Sequence, residues 1–253
     1  MSPTSTRAVV LVAAALLVAG CSTTSGDGPP SATTTPVTTS ASPAGTLVST
    51  PATTPVALSP SSLPAVSARA RAAGLRDVRT VVPDAVIDLR YATTKNFTKV
   101  RLYPRTARCL VHTSMLTGLA AAGRAARKAG LRLVFWDCYR PHSVQVRMFT
   151  VVSNPDWVAR PGPYARSHEA GRSVDVTLAR GTRYLDMGTG FDNFTARATA
   201  FATKGVSSRA ERNRALLRTI MRAGRLTVYA GEWWHFDGRG AGRNRPHLNA
   251  PVY

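Results

Sequence analysis

The chain is 253 residues long and 44% hydrophobic, with 33 Lys and Arg against 13 Asp and Glu, a formal net charge of +20 and 3 Cys. Those proportions exclude a polytopic membrane protein, a disulfide-dense miniprotein and a long disordered polyelectrolyte. The charge is unevenly spread: residues 1–67 hold one basic side chain, Arg7, and one acid, Asp27, so the whole excess lies beyond Ser67, in a length that suits one folded domain.

In chain order, Arg7 precedes an apolar run at 8–19 that ends in Val18-Ala19-Gly20-Cys21. A dozen apolar residues are too few to span a bilayer, so residues 1–20 read as a secretory signal. The residues around Cys21 resemble a bacterial lipobox, which implies acylation of the Cys21 thiol; an ordinary cleaved signal peptide is the alternative. Residues 21–64 are almost entirely Ser, Thr, Pro, Ala, Val and Gly. Such a composition buries too little apolar surface to offset its ordering entropy and predicts a disordered tether. The expected location is therefore the cell membrane, as a lipoprotein on its extracytoplasmic face within the cell envelope.

The expected folded domain covers residues 65–253. An Ala-rich segment at 115–128 carries Leu116 and Leu119 and is closed by Gly130, a helix pattern; 131–136 reads as a strand. Residues 143–152, after Pro141, predict a second helix, and 173–178 alternate apolar and polar as a strand does. Ser208-Arg209-Ala210-Glu211 has capping-box spacing and opens a helix through Met221, with Gly224 ending it. Residues 226–229 are the last clear strand. Helices and strands mix without regular βαβ alternation or an internal repeat. The expected class is α+β, a single domain whose mainly antiparallel central sheet is flanked by helices, with the metal site at one side of the sheet.

With Cys21 taken by lipid, Cys109 and Cys138 remain as an even pair in an oxidising compartment, which predicts a disulfide; two buried thiols are the alternative. The five His lie at 112, 142, 168, 235 and 247, and two of them sit beside carboxylates: Ser167-His168-Glu169-Ala170-Gly171-Arg172-Ser173-Val174-Asp175, and Glu232-Trp233-Trp234-His235. Two neutral imidazoles and one carboxylate make a three-ligand catalytic zinc site with a fourth position for water. A further carboxylate that is not a ligand supplies the general base. Neither motif is specific alone, and a single His is more often structural. Arg140, in Asp137-Cys138-Tyr139-Arg140-Pro141, stands where a loop would leave a strand beside a site. It is suited to bind an oxyanion; a plain ion pair with Asp137 is the structural alternative.

Taken together and in order, these blocks resemble the zinc D-alanyl-D-alanine dipeptidases, the VanX-like D,D-dipeptidases. The resemblance runs through Asp88-Leu89-Arg90-Tyr91-Ala92-Thr93, Asn96-Phe97, the Asp137 to Pro141 block, Ser167-His168 to Asp175, Met187-Gly188-Thr189-Gly190-Phe191-Asp192, and Glu232 to His235. It implies one Zn2+ per chain held by His168, Asp175 and His235, Glu232 as general base and acid, and Arg140 as oxyanion stabiliser. It also implies a substrate pocket with Ser167 beside the first ligand and with Tyr91 and Asp192 recognising a free amino group. For Tyr91 the alternative is a core aromatic, for Asp192 a turn cap. Both Glu232 and His235 reach one metal only if the chain bends between them, because in a regular strand they face opposite ways.

The implied activity is zinc-dependent hydrolysis of D-alanyl-D-alanine, or another short D-amino-acid peptide, in the cell envelope. A D,D-carboxypeptidase or peptidoglycan peptidase acting on longer stem peptides is one alternative; a noncatalytic wall-binding lipoprotein is another, against which an intact Glu232 argues. The basic domain predicts attraction to anionic lipids and anionic wall polymers, and export argues against nucleic acid as a partner. Scattered Arg from compositional bias is the competing explanation of the charge. His247 is expected to be a surface residue.

Overall fold

In a computed structural model the described residues are 65–253. The expected signal and tether, with Cys21, lie outside them. The elements are α1 (Ala68–Ala72), β1 (Leu75–Asp77), β2 (Val86–Ile87), β3 (Leu110–His112), α2 (Leu116–Lys128), β4 (Arg132–Asp137), α3 (His142–Val151), β5 (Ser173–Arg180), β6 (Arg183–Tyr184), α4 (Ser208–Ala223), β7 (Thr227–Val228) and β8 (His235–Asp237). Among the described residues no helix is long and apolar enough to cross a membrane.

β5 organises the core. Every residue from Ser173 to Ala179 is buried, and their alternation sets Val174, Val176 and Leu178 on one face and Ser173, Asp175 and Thr177 on the other. Around it the sheet runs in the order β2-β4-β5-β8-β7, with β6 also pairing β5. Only the β2–β4 pairing is parallel; β4–β5, β5–β6, β5–β8 and β7–β8 are antiparallel. β1 and β3 form a separate antiparallel pair. This is the α+β architecture expected: one domain, a mainly antiparallel sheet and helices packed on it.

The β4–β5 ladder carries an irregularity that matters for the site. Phe135 pairs with Val176, but the next pairing is Asp137 with Asp175, so Trp136 is an extra residue on β4. The bulge turns Asp137 to the face of Asp175, where an unbroken ladder would have placed Trp136.

Several boundaries differ from the sequence expectation. The cap of α4 is Ser207, not Ser208: its side chain accepts from the Ala210 N–H at 3.2 Å, leaving Glu211 one position beyond a capping box. Gly224 follows that helix, but the left-handed backbone falls on Arg225, with φ 57°. Gly224 also serves close approach, since a Cβ there would sit 2.1 Å from the Gly118 carbonyl oxygen of α2. The strand expected at 226–229 is confined to Thr227–Val228, and β8, too short for a periodic signal, completes a hairpin with it.

Candidate metal centre

The strand register builds the centre. Asp137, Asp175 and His235 stand in one cross-strand row over β4, β5 and β8. His168 joins them from the 3-10 turn Ser167–Ala170, which Gly171 ends in left-handed backbone, φ 63°. A side chain at position 171 would also meet Leu75 at 2.9 Å, so this turn requires glycine twice over.

Three donor atoms converge in this pocket. His168 Nε2 lies 3.3 Å from Asp175 Oδ1 and 3.1 Å from His235 Nδ1, and His235 Nδ1 lies 3.0 Å from Asp175 Oδ1. A tetrahedral zinc with bonds of about 2.0–2.2 Å sets its ligand atoms about 3.3 Å apart, so the trio fits such an ion. All three residues are buried. Hydrogen bonds on the far edges of the rings orient them. His168 Nδ1–H donates to the Cys138 carbonyl at 2.8 Å, and His235 Nε2–H to Asp237 Oδ1 at 3.1 Å, so the lone pairs of Nε2 and Nδ1 point inward.

Electrostatics make the pocket cation-seeking. Burial alone would lower the pKa of His235, but hydrogen bonds to Asp175 and Asp237 outweigh it and push it up to about 10. Burial likewise works to raise Asp175, and His168 together with His235 outweighs it, holding that carboxylate well below its usual range. The carboxylates that hold this proton would also attract a metal cation, which must displace the proton to bind.

Glu232 sits in the bend between β7 and β8. Its N–H donates to the Tyr229 carbonyl at 3.2 Å, and the Tyr229 N–H to the His235 carbonyl at 2.9 Å, closing a turn that brings Glu232 Oε2 to 3.9 Å from His235 Nδ1. That is the bend the spacing demands. Burial first, and the Asp175 carboxylate second, raise the Glu232 pKa.

Arg140 forms the ion pair with Asp137 treated above as its structural alternative: Nη2 is 2.7 Å and Nε 3.1 Å from Asp137 Oδ2, while Nη1 donates to Gln145 Oε1 at 2.7 Å. The same Arg140 lines a cavity of 930 Å³ whose wall includes His168, Asp175, Glu232 and His235. Pairing and exposure to the cavity coexist because Asp137 holds the guanidinium from behind. Asp137, fully buried, also accepts from the Tyr103 hydroxyl at 2.7 Å.

Comparison with known proteins meets this geometry. A family model described as D-ala-D-ala dipeptidase matches residues 71–253.

The chain belongs to the D-ala-D-ala dipeptidase family.

Among its relatives is the D-alanyl-D-alanine dipeptidase of Escherichia coli, 37% identical over 164 residues that make up 64% of this chain and 83% of the relative. The enzymes of that name from Enterococcus faecium and Streptomyces coelicolor are 29% and 32% identical, covering 65% and 59% of this chain and 91% and 83% of the relatives. The family makes the chain a peptidase.

The remaining positions implied by the family resemblance fall as follows. Tyr91 is buried in an aromatic cluster with Phe97, Tyr103 and Phe191, yet it lines the cavity, and its hydroxyl donates to Asp192 Oδ2 at 3.0 Å. Asp192 takes a left-handed backbone, φ 55°, unusual for a residue with a side chain. Burial, then Asp175, pushes its carboxyl pKa well above the usual range. Ser167 also has positive φ, 46°. Its hydroxyl donates to Ser173 Oγ at 2.9 Å and lies 3.3 Å from His235 Nε2, on the ring edge opposite the converging donors. Ser173 in turn donates to Asp237.

Cys109 and Cys138 are joined by a disulfide, with Cα atoms 5.2 Å apart. His247 is not the surface residue expected: only 16% of its side chain is exposed, because it packs against His142. Asp237, Ser173, Gln145 and Tyr103 are not singled out by the sequence; the Ser173–Asp237 and Tyr103–Asp137 contacts span 64 and 34 residues and leave no local spacing to read. A period-two echo of His235 at Asp237 was the one available signal.

Proposed function

We propose that the chain is a zinc-dependent dipeptidase that hydrolyses D-alanyl-D-alanine to D-alanine on the outer side of the cell membrane. The convergence of His168 Nε2, Asp175 Oδ1 and His235 Nδ1 beside the Glu232 carboxylate, on the wall of one cavity, carries this reading. His168, Asp175 and His235 would hold a zinc ion, which would supply Lewis acidity to the scissile carbonyl and to an attacking water. Glu232, its pKa raised by burial, takes the water's proton and passes it to the leaving amine. Arg140, anchored by Asp137 and Gln145, presents its fixed charge to the oxygen that becomes negative as the carbonyl is attacked. Asp192, supported by the Tyr91 hydroxyl, holds the substrate ammonium.

Longer stem peptides form a second reading, favoured by the cavity: its 930 Å³ stands at the upper end of the range of about 300–1,000 Å³ that suits drug-sized ligands. The deciding experiment measures release of D-alanine from D-Ala-D-Ala and from an N-acylated D-Ala-D-Ala peptide, with and without chelator. Chelator-sensitive cleavage of the free dipeptide alone is expected. Cleavage of the acylated peptide alone would make the protein a carboxypeptidase, and inertness toward both with zinc bound would return it to the wall-binding lipoprotein alternative.

A further inference from the structure

A second group of ligand-type side chains converges away from the site described. His142 opens α3, Glu169 lies in the 3-10 turn that carries His168, and His247 comes from the C-terminal segment. Their donor atoms all lie within 4.8 Å of one another. His142 Nδ1 is 2.7 Å from Glu169 Oε1, and His247 Nδ1 is 3.7 Å from that same oxygen. The two imidazole rings have centroids 3.8 Å apart and are tilted by 57°.

The hydrogen bonds leave one nitrogen unaccounted for. His247 Nε2–H donates to the Gly162 carbonyl at 3.0 Å, which selects the tautomer with its lone pair on Nδ1. That Nδ1 is buried and has no hydrogen-bond partner. Glu169 Oε1, a carboxylate oxygen 3.7 Å away, is another acceptor, so the pair repels unless a proton or a metal cation stands between them. The Gly162 carbonyl behind the ring plays the part that the Cys138 carbonyl plays behind His168.

We propose that His142, Glu169 and His247 form a second site for a borderline divalent cation of the zinc class, through His142 Nδ1, Glu169 Oε1 and His247 Nδ1. Two imidazoles and one carboxylate suit that class of ion over magnesium or calcium, which take oxygen ligands. The side chains are 29%, 15% and 16% exposed, so a position remains open toward solvent. The ion cross-links three segments: the start of α3, two residues after Arg140; the turn of His168; and the C-terminal segment, where the Ala250 N–H donates to the Tyr139 hydroxyl at 3.2 Å. It acts as a brace on both loops that carry the proposed chemistry.

The test is a titration of the metal-free full chain with Zn(II) against a chromophoric chelator. Two equivalents per chain are expected, falling to one in His142→Ala, in His247→Ala and, separately, in Asp175→Ala. A single equivalent that is lost in Asp175→Ala but kept in His247→Ala would overturn the second site, as would two equivalents retained in both His variants. A single equivalent lost in His247→Ala and kept in Asp175→Ala would support it while removing the dipeptidase reading. Should the His variants fail to fold, wild-type crystals grown with zinc serve instead. Anomalous scattering at the zinc edge is expected between the three side chains, and a peak at the His168 site alone would overturn the proposal.

Discussion

Glu232 is distinguished from the three converging donors by its distance, 3.9 Å from His235 Nδ1, and by a pKa that burial raises. A carboxylate so placed is a proton carrier more than a ligand, so Glu232→Gln is expected to lower kcat by about 10²–10⁴-fold while leaving zinc content unchanged. Steady-state kinetics beside metal analysis checks both halves. Asp192 gives the pH dependence. In the proposed mechanism its ionised form holds the substrate ammonium, and because burial and Asp175 raise its pKa, that form is lost as pH falls through a value above the ordinary carboxylate range. KM for D-Ala-D-Ala is therefore expected to rise on the acid side, where protonation of Glu232 lowers kcat as well, and Asp192→Asn to have a high KM that no longer varies there while its kcat still falls. A KM in Asp192→Asn equal to the wild-type value would remove Asp192 from amine recognition.

At the scale of elements, the disulfide binds the start of β3 to the loop after β4 and closes a loop with a sequence separation of 29. Replacing both Cys109 and Cys138 with Ser is expected to cost about 3–4 kcal/mol of stability on chain-entropy grounds. Denaturant unfolding measures it. The same change is expected to weaken zinc binding, because the Cys138 carbonyl orients His168. Much of this architecture was legible: the helices at α2 and α4, the strands β4 and β5 and the spacing of His168 and Asp175 all left local periodic or motif signals. The bulge at Trp136 and the strand β8 did not, because the bulge is set by pairing with β5 and β8 by pairing with both β5 and β7, and no run of three residues announces its partners. His247 was misjudged for the same reason; its burial comes from His142, 105 positions earlier in the chain. Gly224 ends α4 as expected, and the Gly118 backbone across the helix contact adds a second demand for glycine there.

For the molecule as a whole, the proposed compartment rests on the sequence of residues 1–64, which lie outside the described residues. The proposed placement outside the membrane keeps the enzyme away from cytoplasmic D-Ala-D-Ala and directs it to peptides released from the wall. Cys21→Ala is expected to abolish incorporation of labelled palmitate and to move the protein from the membrane fraction to the soluble one. Wild-type protein found unlabelled in the cytosol would refute the placement. The net charge of +20 is expected to add attraction to anionic lipids and wall polymers, which salt would weaken.

The cross-strand row of Asp137, Asp175 and His235 ties the chemistry to the correctness of folding. Side chains alternate across a sheet, so slipping β8 by one residue against β5 would carry His235 to the opposite face and put Trp234 or Phe236 in its place. A slipped sheet would keep its hydrophobic strands but lose one of the three donors. Binding of the proposed cation would thereby favour a single pairing of the strands, so that an ion serving hydrolysis would also proofread the register of the sheet.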